Sequence, residues 1–265
     1  MRKARGTHRC VGVVGGCAAL IVLAVAAAPA AAETTERLDL RGHPQTLHLY
    51  GARGGRPVIV SSGDGGWIHL GPQVAEFLGS RGFFVVGFDA KAYLEAFTSK
   101  SDSLRPEDEP RDYRTLIAFT ARGSAERPVL IGVSEGAGLS VLAATAAEIK
   151  PLIQGVIALG LPNRNELGWR WKDSLIYLTH GVPNEPTFSV SEIVGGVAPI
   201  PLAAIHSTRD EFVSVTEVSA VLARAATPKR LWVVTARDHR FSDNRAEFET
   251  RLMEALTWIR QNRPR

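Results

Sequence analysis

Short apolar runs alternate with helical patterns along most of this chain, and that alternation restricts the fold more than any other feature. The runs at residues 57–60, 83–86, 128–131, 153–159, 202–205 and 231–234 are rich in Val, Ile, Leu and Phe. Such runs suit strands buried on both faces. Between them, apolar residues recur at helical spacing over 67–80 (Ile68, Val74, Phe77, Leu78), 112–121, 135–149 and 248–259. Residues 36–50 differ. Leu38-Asp39-Leu40 and Leu47-His48-Leu49 alternate apolar with polar, which predicts two antiparallel strands at the start. The whole pattern predicts an α/β fold, with a mainly parallel sheet and helices on both faces. Ligand sites in such sheets lie at the carboxyl ends of the strands.

Three segments depart from the rhythm. Residues 98–110 are polar and read as a loop. Residues 162–198, after the sixth strand, form an insert with Trp169, Trp171 and several prolines and glycines. Residues 1–32 combine Arg2, Lys3, Arg5 and Arg9 with an apolar run from Val11 to Ala28 and a small-residue Ala30-x-Ala32 site. This is the pattern of a secretory signal peptide, with an uncleaved anchor as the competing reading. The expected organisation is a leader over 1–32 and one domain over 33–265, located in the periplasm or secreted.

The leader also decides the charge argument. The chain has 31 basic and 27 acidic residues, and four of the basic ones lie in the leader. The remainder is balanced, so the basic excess is no evidence for nucleic-acid binding. Both cysteines, Cys10 and Cys17, lie there too. A domain without cysteine uses neither thiol catalysis nor a cysteine-ligated metal. No H-E-x-x-H and no calcium-loop pattern appears, and no cofactor is expected.

Gly132-Val133-Ser134-Glu135-Gly136 matches G-x-S-x-G. The pentapeptide alone is weak, because a Gly-rich turn with a serine cap has the same letters. Its setting carries more weight. A buried strand stops near Ile131 and a helix begins near Glu135, the strand-turn-helix context of a nucleophile elbow. Chain order in that arrangement is Ser, then Asp or Glu, then His. Asp210 follows the 202–205 strand and His239 follows the 231–234 strand. They are the expected acid and base for Ser134. Glu211 is the alternative acid. His206 precedes Asp210 and has the wrong order. Asp238 adjoins His239 and is poorly placed to orient its ring.

Ser61-Ser62-Gly63-Asp64-Gly65-Gly66-Trp67 follows the strand at 57–60. A Gly-rich turn there can give one backbone N–H to an oxyanion, from Asp64 or else Gly65, while Glu135 gives the second. A phosphate-binding loop is the rival, but no Walker lysine and no G-x-G-x-x-G spacing are present.

Val58-Ile59-Val60-Ser61-Ser62-Gly63-Asp64-Gly65-Gly66-Trp67 resembles the S-G-D-G-G-W signature of the bacterial virulence proteins AcvB and VirJ. Gly82-Phe83-Phe84-Val85-Val86-Gly87-Phe88-Asp89, Tyr93 and Ser134-Glu135-Gly136-Ala137 resemble that family as well. The resemblance spans roughly residues 57–260. It implies a periplasmic α/β-hydrolase fold, and for some members hydrolysis of lysyl-phosphatidylglycerol or a link to type IV secretion. Many members carry Phe at the position of Glu135 and Asp at the position of Gly138. Glu135 or Asp64 is then the anionic partner left for an aminoacyl ammonium. Trp67, Tyr93, Trp169 and Trp171 are the expected substrate-contacting side chains, the last two as a lid or wall suited to a bilayer surface.

The expected function is therefore ester hydrolysis through Ser134, His239 and Asp210 on an aminoacyl ester of phosphatidylglycerol. A soluble carboxylic ester is the runner-up, and a non-catalytic secretion accessory is the rival from another class. The expected partners are a small-molecule or lipid ester and the inner-membrane surface, with no nucleic acid.

Overall fold

A computed structural model describes residues 33–170 and 185–264. The chain opens with a hairpin of β1 (Thr34–Leu40) and β2 (His43–Tyr50). Arg41 and Gly42 both have positive φ, as a two-residue hairpin turn of matching twist requires. β3 (Arg56–Ser61), β4 (Phe83–Phe88), β5 (Val129–Val133), β6 (Gly155–Leu159), β9 (Leu202–Ser207) and β10 (Lys229–Val234) are the apolar runs read from the sequence. The insert after β6 adds a small antiparallel pair, β7 (Arg164–Glu166) and β8 (Thr187–Ser189).

The main sheet has eight strands in the order β1-β2-β4-β3-β5-β6-β9-β10. The β1–β2 and β2–β4 pairs are antiparallel and the others parallel. The chain goes from β3 outward to β4, then returns to the other side of β3 for β5. The crevice between the ends of β3 and β5 is thus the topological switch point, where parallel sheets hold ligands.

Helices cover both faces. α1 (Leu70–Gly79) and α7 (Arg245–Asn262) pack on one face, through Val74, Leu78, Leu252 and Ile259 against Val58, Val60, Ile131 and Ile157. The other face carries α2 (Ala90–Phe97), α3 (Glu109–Thr120), α4 (Glu135–Thr145), the short α5 (Val190–Ile193) and α6 (Val215–Arg224). Ile59 and Leu130 point to that side, because successive strand residues alternate between faces. Within α4 every residue from Glu135 to Ala144 is buried, which fits its all-round apolar sequence.

The structure adds two helices that periodicity did not show, α2 and the four-residue α5 within the insert. α2 is only eight residues long, and Asp89 caps it by accepting from Ala92 N–H at 3.0 Å. α7 begins three residues earlier than its apolar pattern, and α4 ends at Thr145.

One buried acid stands out beneath β3. Glu109, the first residue of α3, is fully buried, and neither carboxyl oxygen has a hydrogen-bond partner among the described residues. Its neighbour Asp112 is satisfied by a two-pronged bond from Arg41, at 2.8 and 2.7 Å, and by Tyr93 O–H at 2.6 Å. Burial, and then the Asp112 charge, hold Glu109 well above the usual glutamate range. The folded protein therefore keeps a proton there that the unfolded chain loses above about pH 4.3, so this group costs stability as pH rises from that point. Glu109→Gln is expected to flatten the fall in Tm between pH 5 and 8, read by thermal melts of both proteins. The slope removed should approach about 1.4 kcal/mol per pH unit. Parallel Tm curves for the two proteins would refute this account of Glu109.

Candidate active site

Ser134 lies between β5 and α4, beside the end of β3. Its φ of 51° and ψ of −117° place a serine in a region that side chains avoid. The surroundings hold it there. Ser134 N–H donates to Leu159 O at 2.8 Å, and Ala137 N–H donates to Ser134 O at 2.8 Å. The flanking glycines are steric requirements. A Cβ on Gly132 would stand 2.1 Å from Gly136 O, and one on Gly136 would stand 2.3 Å from Ser62 O.

Asp210 and His239 come from the turns after β9 and β10. Asp210 Oδ1 accepts from Phe212 N–H and Val213 N–H, both at 2.9 Å, and Oδ2 accepts from His239 Nδ1 at 2.6 Å. Burial alone would raise the Asp210 carboxyl. The His239 bond and the two backbone donors outweigh it and hold the group below the usual aspartate value. An ionised carboxylate only accepts, so Nδ1 carries the ring proton and a neutral His239 has its lone pair at Nε2. That Nε2 is buried and has no hydrogen-bond partner among the described residues. Glu211, the alternative acid, accepts from His239 backbone N–H at 2.8 Å instead. His206 is fully buried and donates through Nε2 to Val213 O at 2.9 Å, bracing the Asp210 turn.

Ser134 and His239 line one cavity of about 430 Å³. Gly63, Asp64, Gly65 and Glu135 form its wall on the serine side. A Cβ on Gly63 would stand 3.4 Å from Ser134 Cβ, so the loop after β3 abuts the serine. Asp89 anchors that loop by accepting from Trp67 N–H at 3.2 Å while it caps α2. Glu135 opens α4, whose N-terminal amides carry partial positive charge toward the serine. Such a site brings a serine hydroxyl and an imidazole lone pair to one cavity beside a helix N-terminus, parts that acyl transfer requires.

Two acids sit in the cavity wall. Burial raises the Asp64 carboxyl. Burial, then the charges of Glu166 and Asp64, hold Glu135 well above the glutamate range although it accepts a bond from Glu166 N–H. Burial thus favours the protonated form of Glu135.

Several expected contacts do not form. Trp67 stacks on His48, with rings 4.9 Å apart and 15° from parallel, and its Nε1–H donates to Tyr50 Oη at 3.4 Å. It packs onto the core rather than lining the cavity. Tyr93 is fully buried, with its hydroxyl committed to Asp112. Trp169 packs at the edge of the core under Lys91, whose Nζ is 4.1 Å from the ring centre. None of the three lines the Ser134 cavity: Tyr93 is buried, and Trp67 and Trp169 are half-buried against the core. Trp171, like the leader with its cleavage site, lies outside the described residues.

Other residues line the cavity without a sequence signal of their own: Ile68, Pro162, Arg164, Phe212 and Arg240. Phe212 meets the His239 ring edge-on at 5.6 Å. Gly160 has a φ of 60°, and a Cβ there would stand 2.2 Å from His239 Cε1. Its position just after a buried strand was the one available hint.

Gly138 has a steric explanation. A Cβ at that position would stand 1.9 Å from Oδ1 of Asn165, which is fully buried in β7. The insert has filled the space with its own side chain. Gly138→Asp is expected to lower stability by roughly 1–3 kcal/mol, by overpacking. The double variant Gly138→Asp, Asn165→Ala should recover most of that loss. Urea denaturation of both measures it, and equal losses would show that Asn165 is not the obstacle.

Residues 56–173 match the protein-family model of the bacterial virulence protein VirJ. No curated protein sequence matches the chain. Solved structures match it at low identity. The α/β hydrolase GrgF from Penicillium sp. sh18 superposes with a TM-score of 0.64 at 12% identity, over 88% of this chain and 99% of that one. Est1E from Butyrivibrio proteoclasticus gives 0.62 at 12%, over 85% and 98%. A membrane phospholipase A described as a bacterial virulence factor gives 0.61 at 14%, over 86% and 87%. At these identities the likeness establishes the fold. The resemblance read from the Gly63-to-Trp67 turn is therefore met by a family match across residues 56–173, and the chain has an α/β-hydrolase fold.

Proposed function

We propose that this protein is a serine hydrolase of carboxylic esters, acting in the periplasm or outside the cell once the leader is removed. The observation that carries the proposal is the 2.6 Å bond between Asp210 and His239 Nδ1, which leaves Nε2 unpartnered in the cavity that Ser134 lines. Ser134 Oγ attacks the ester carbonyl carbon and passes its proton to His239 Nε2. The carbonyl oxygen becomes an oxyanion, held by the N–H of Glu135 and an N–H of the Asp64–Gly65 turn. Collapse breaks the ester C–O bond, and the alcohol leaves with the proton from His239. Water, deprotonated by His239, then attacks the acyl-serine and releases the acid.

Within that class, we favour an aminoacyl ester of phosphatidylglycerol. The family match supports this choice, and so does Glu135. Burial disfavours the charged form of this carboxyl, and an ammonium group beside it would favour ionisation, so the wall can pair with a charged aminoacyl group that a neutral acyl chain would not offer. A soluble carboxylic ester is the alternative.

A fluorophosphonate probe is expected to label the native protein and to leave Ser134→Ala unlabelled. Absence of native labelling would instead favour a non-catalytic platform. Asp210→Asn should lower kcat about 10⁴-fold. Gly160→Ala should lower kcat about 100-fold by displacing the His239 ring, with the circular-dichroism spectrum preserved. Incubation with lysyl-, alanyl- and unmodified phosphatidylglycerol, followed by lipid analysis, identifies the substrate. Glu135→Gln should raise KM for the lysyl ester and leave KM for a neutral soluble ester unchanged. An unaltered lysyl KM would remove Glu135 from recognition.

A further inference from the structure

Three large apolar side chains are exposed among the described residues: Phe212 (59%), Ile68 (50%) and Val233 (40%). Two of them, Phe212 and Ile68, stand at the mouth of the Ser134 cavity, on opposite loops. A folded chain rarely leaves such residues beside a functional opening unless something apolar covers them. Arg164 and Arg240 line the same mouth, both exposed and neither in an ion pair within 4.0 Å among the described residues. The carboxylates beside them accept backbone and hydroxyl donors, and Asp238 also lies in the field of the Arg240 charge. Glu211 accepts from His239 N–H, and Asp238 accepts from Arg240 N–H and from Ser242. The opening is therefore lined by two apolar tips and two guanidinium groups. Ile68, Phe212 and Arg240 come from the loops after β3, β9 and β10, and Arg164 opens β7 in the insert after β6, so all of them follow the carboxyl ends of sheet strands.

We propose that this mouth is a docking surface for an anionic lipid bilayer, with Ile68 and Phe212 entering the acyl boundary and Arg164 and Arg240 binding lipid phosphates. The proposal rests on the lipid-ester reading of the same cavity and adds to it the contact that brings the enzyme to its substrate. The charge pattern selects the occupant. A neutral protein surface would cover the apolar tips but leave two guanidinium groups desolvated and unpaired, whereas phosphates accept from their forked donors. A bilayer docked there would also place its head groups at the cavity entrance.

The test uses the full chain carrying Cys10→Ser, Cys17→Ser and Ser134→Ala, so that no turnover is needed and the readout is independent of catalysis. An environment-sensitive nitrobenzoxadiazole dye is attached at Phe212→Cys or, as a control on α7, at Thr257→Cys. Vesicles of phosphatidylglycerol with phosphatidylethanolamine should shift the emission to the blue at the first position and not at the second. Vesicles of phosphatidylcholine should give little shift. Adding Arg164→Glu with Arg240→Glu should weaken the anionic-vesicle response at least about 30-fold in lipid concentration. The proposal is overturned by no shift at position 212, by an equal shift at position 257, or by equal shifts with both lipids. Hydrolysis of a soluble ester by the native chain is measured separately. Its failure would sink the hydrolase reading and leave the docking result standing, and a docking failure would leave the hydrolase reading standing.

Discussion

Backbone against backbone is the contact on which the site depends. The turn from β5 into α4 lies so close to the end of β3 that a single Cβ on Gly136 would reach 2.3 Å from Ser62 O. That contact fixes where α4 starts, and with it the direction of the helix amides and the strained φ of Ser134. It also joins the two halves of the sheet, since β3 and β5 flank the point where the strand order reverses. Loosening it would move the serine, the loop of Gly63 to Gly65 and the helix terminus together.

Electrostatics then divides the carboxyl groups around the cavity into two states. Asp210 receives an imidazole N–H and two backbone N–H groups, and ionisation wins over burial. Glu135 receives one backbone N–H and faces other acids, and burial wins. The same side-chain chemistry thus favours the charged form behind His239 and the protonated form in the wall beside Ser134. The difference lies in the number of donors aimed at each group, which the backbone of the surrounding turns sets.

Much of this was legible along the chain. The apolar runs became parallel strands because each is short and apolar; all but the edge strand β10, whose Val233 is exposed, are buried on both faces, and the alternating start became an antiparallel hairpin. The strand-turn-helix context of Ser134 was local and readable for the same reason. α2 was not, since eight residues hold too little periodicity and the evidence for it is one cap from Asp89. Trp67 and Tyr93 were misplaced because an aromatic residue near a motif reads as a contact, whereas burial beside His48 and Asp112 decides its use.

Hydrophobic periodicity and motif spacing by themselves determined the α/β layering, the turn around Ser134 and the positions of Asp210 and His239 at strand ends. These depend on residues within a few positions of one another. Only tertiary structure chose Asp210 over Glu211 as the partner of His239 Nδ1, across 29 positions of sequence. Only tertiary structure put Asn165 where a side chain on Gly138 would lie, and gathered Arg164, Phe212 and Arg240 around one opening. Those choices are made by contacts between loops brought together by the sheet, and no local pattern encodes which side chains will face each other there.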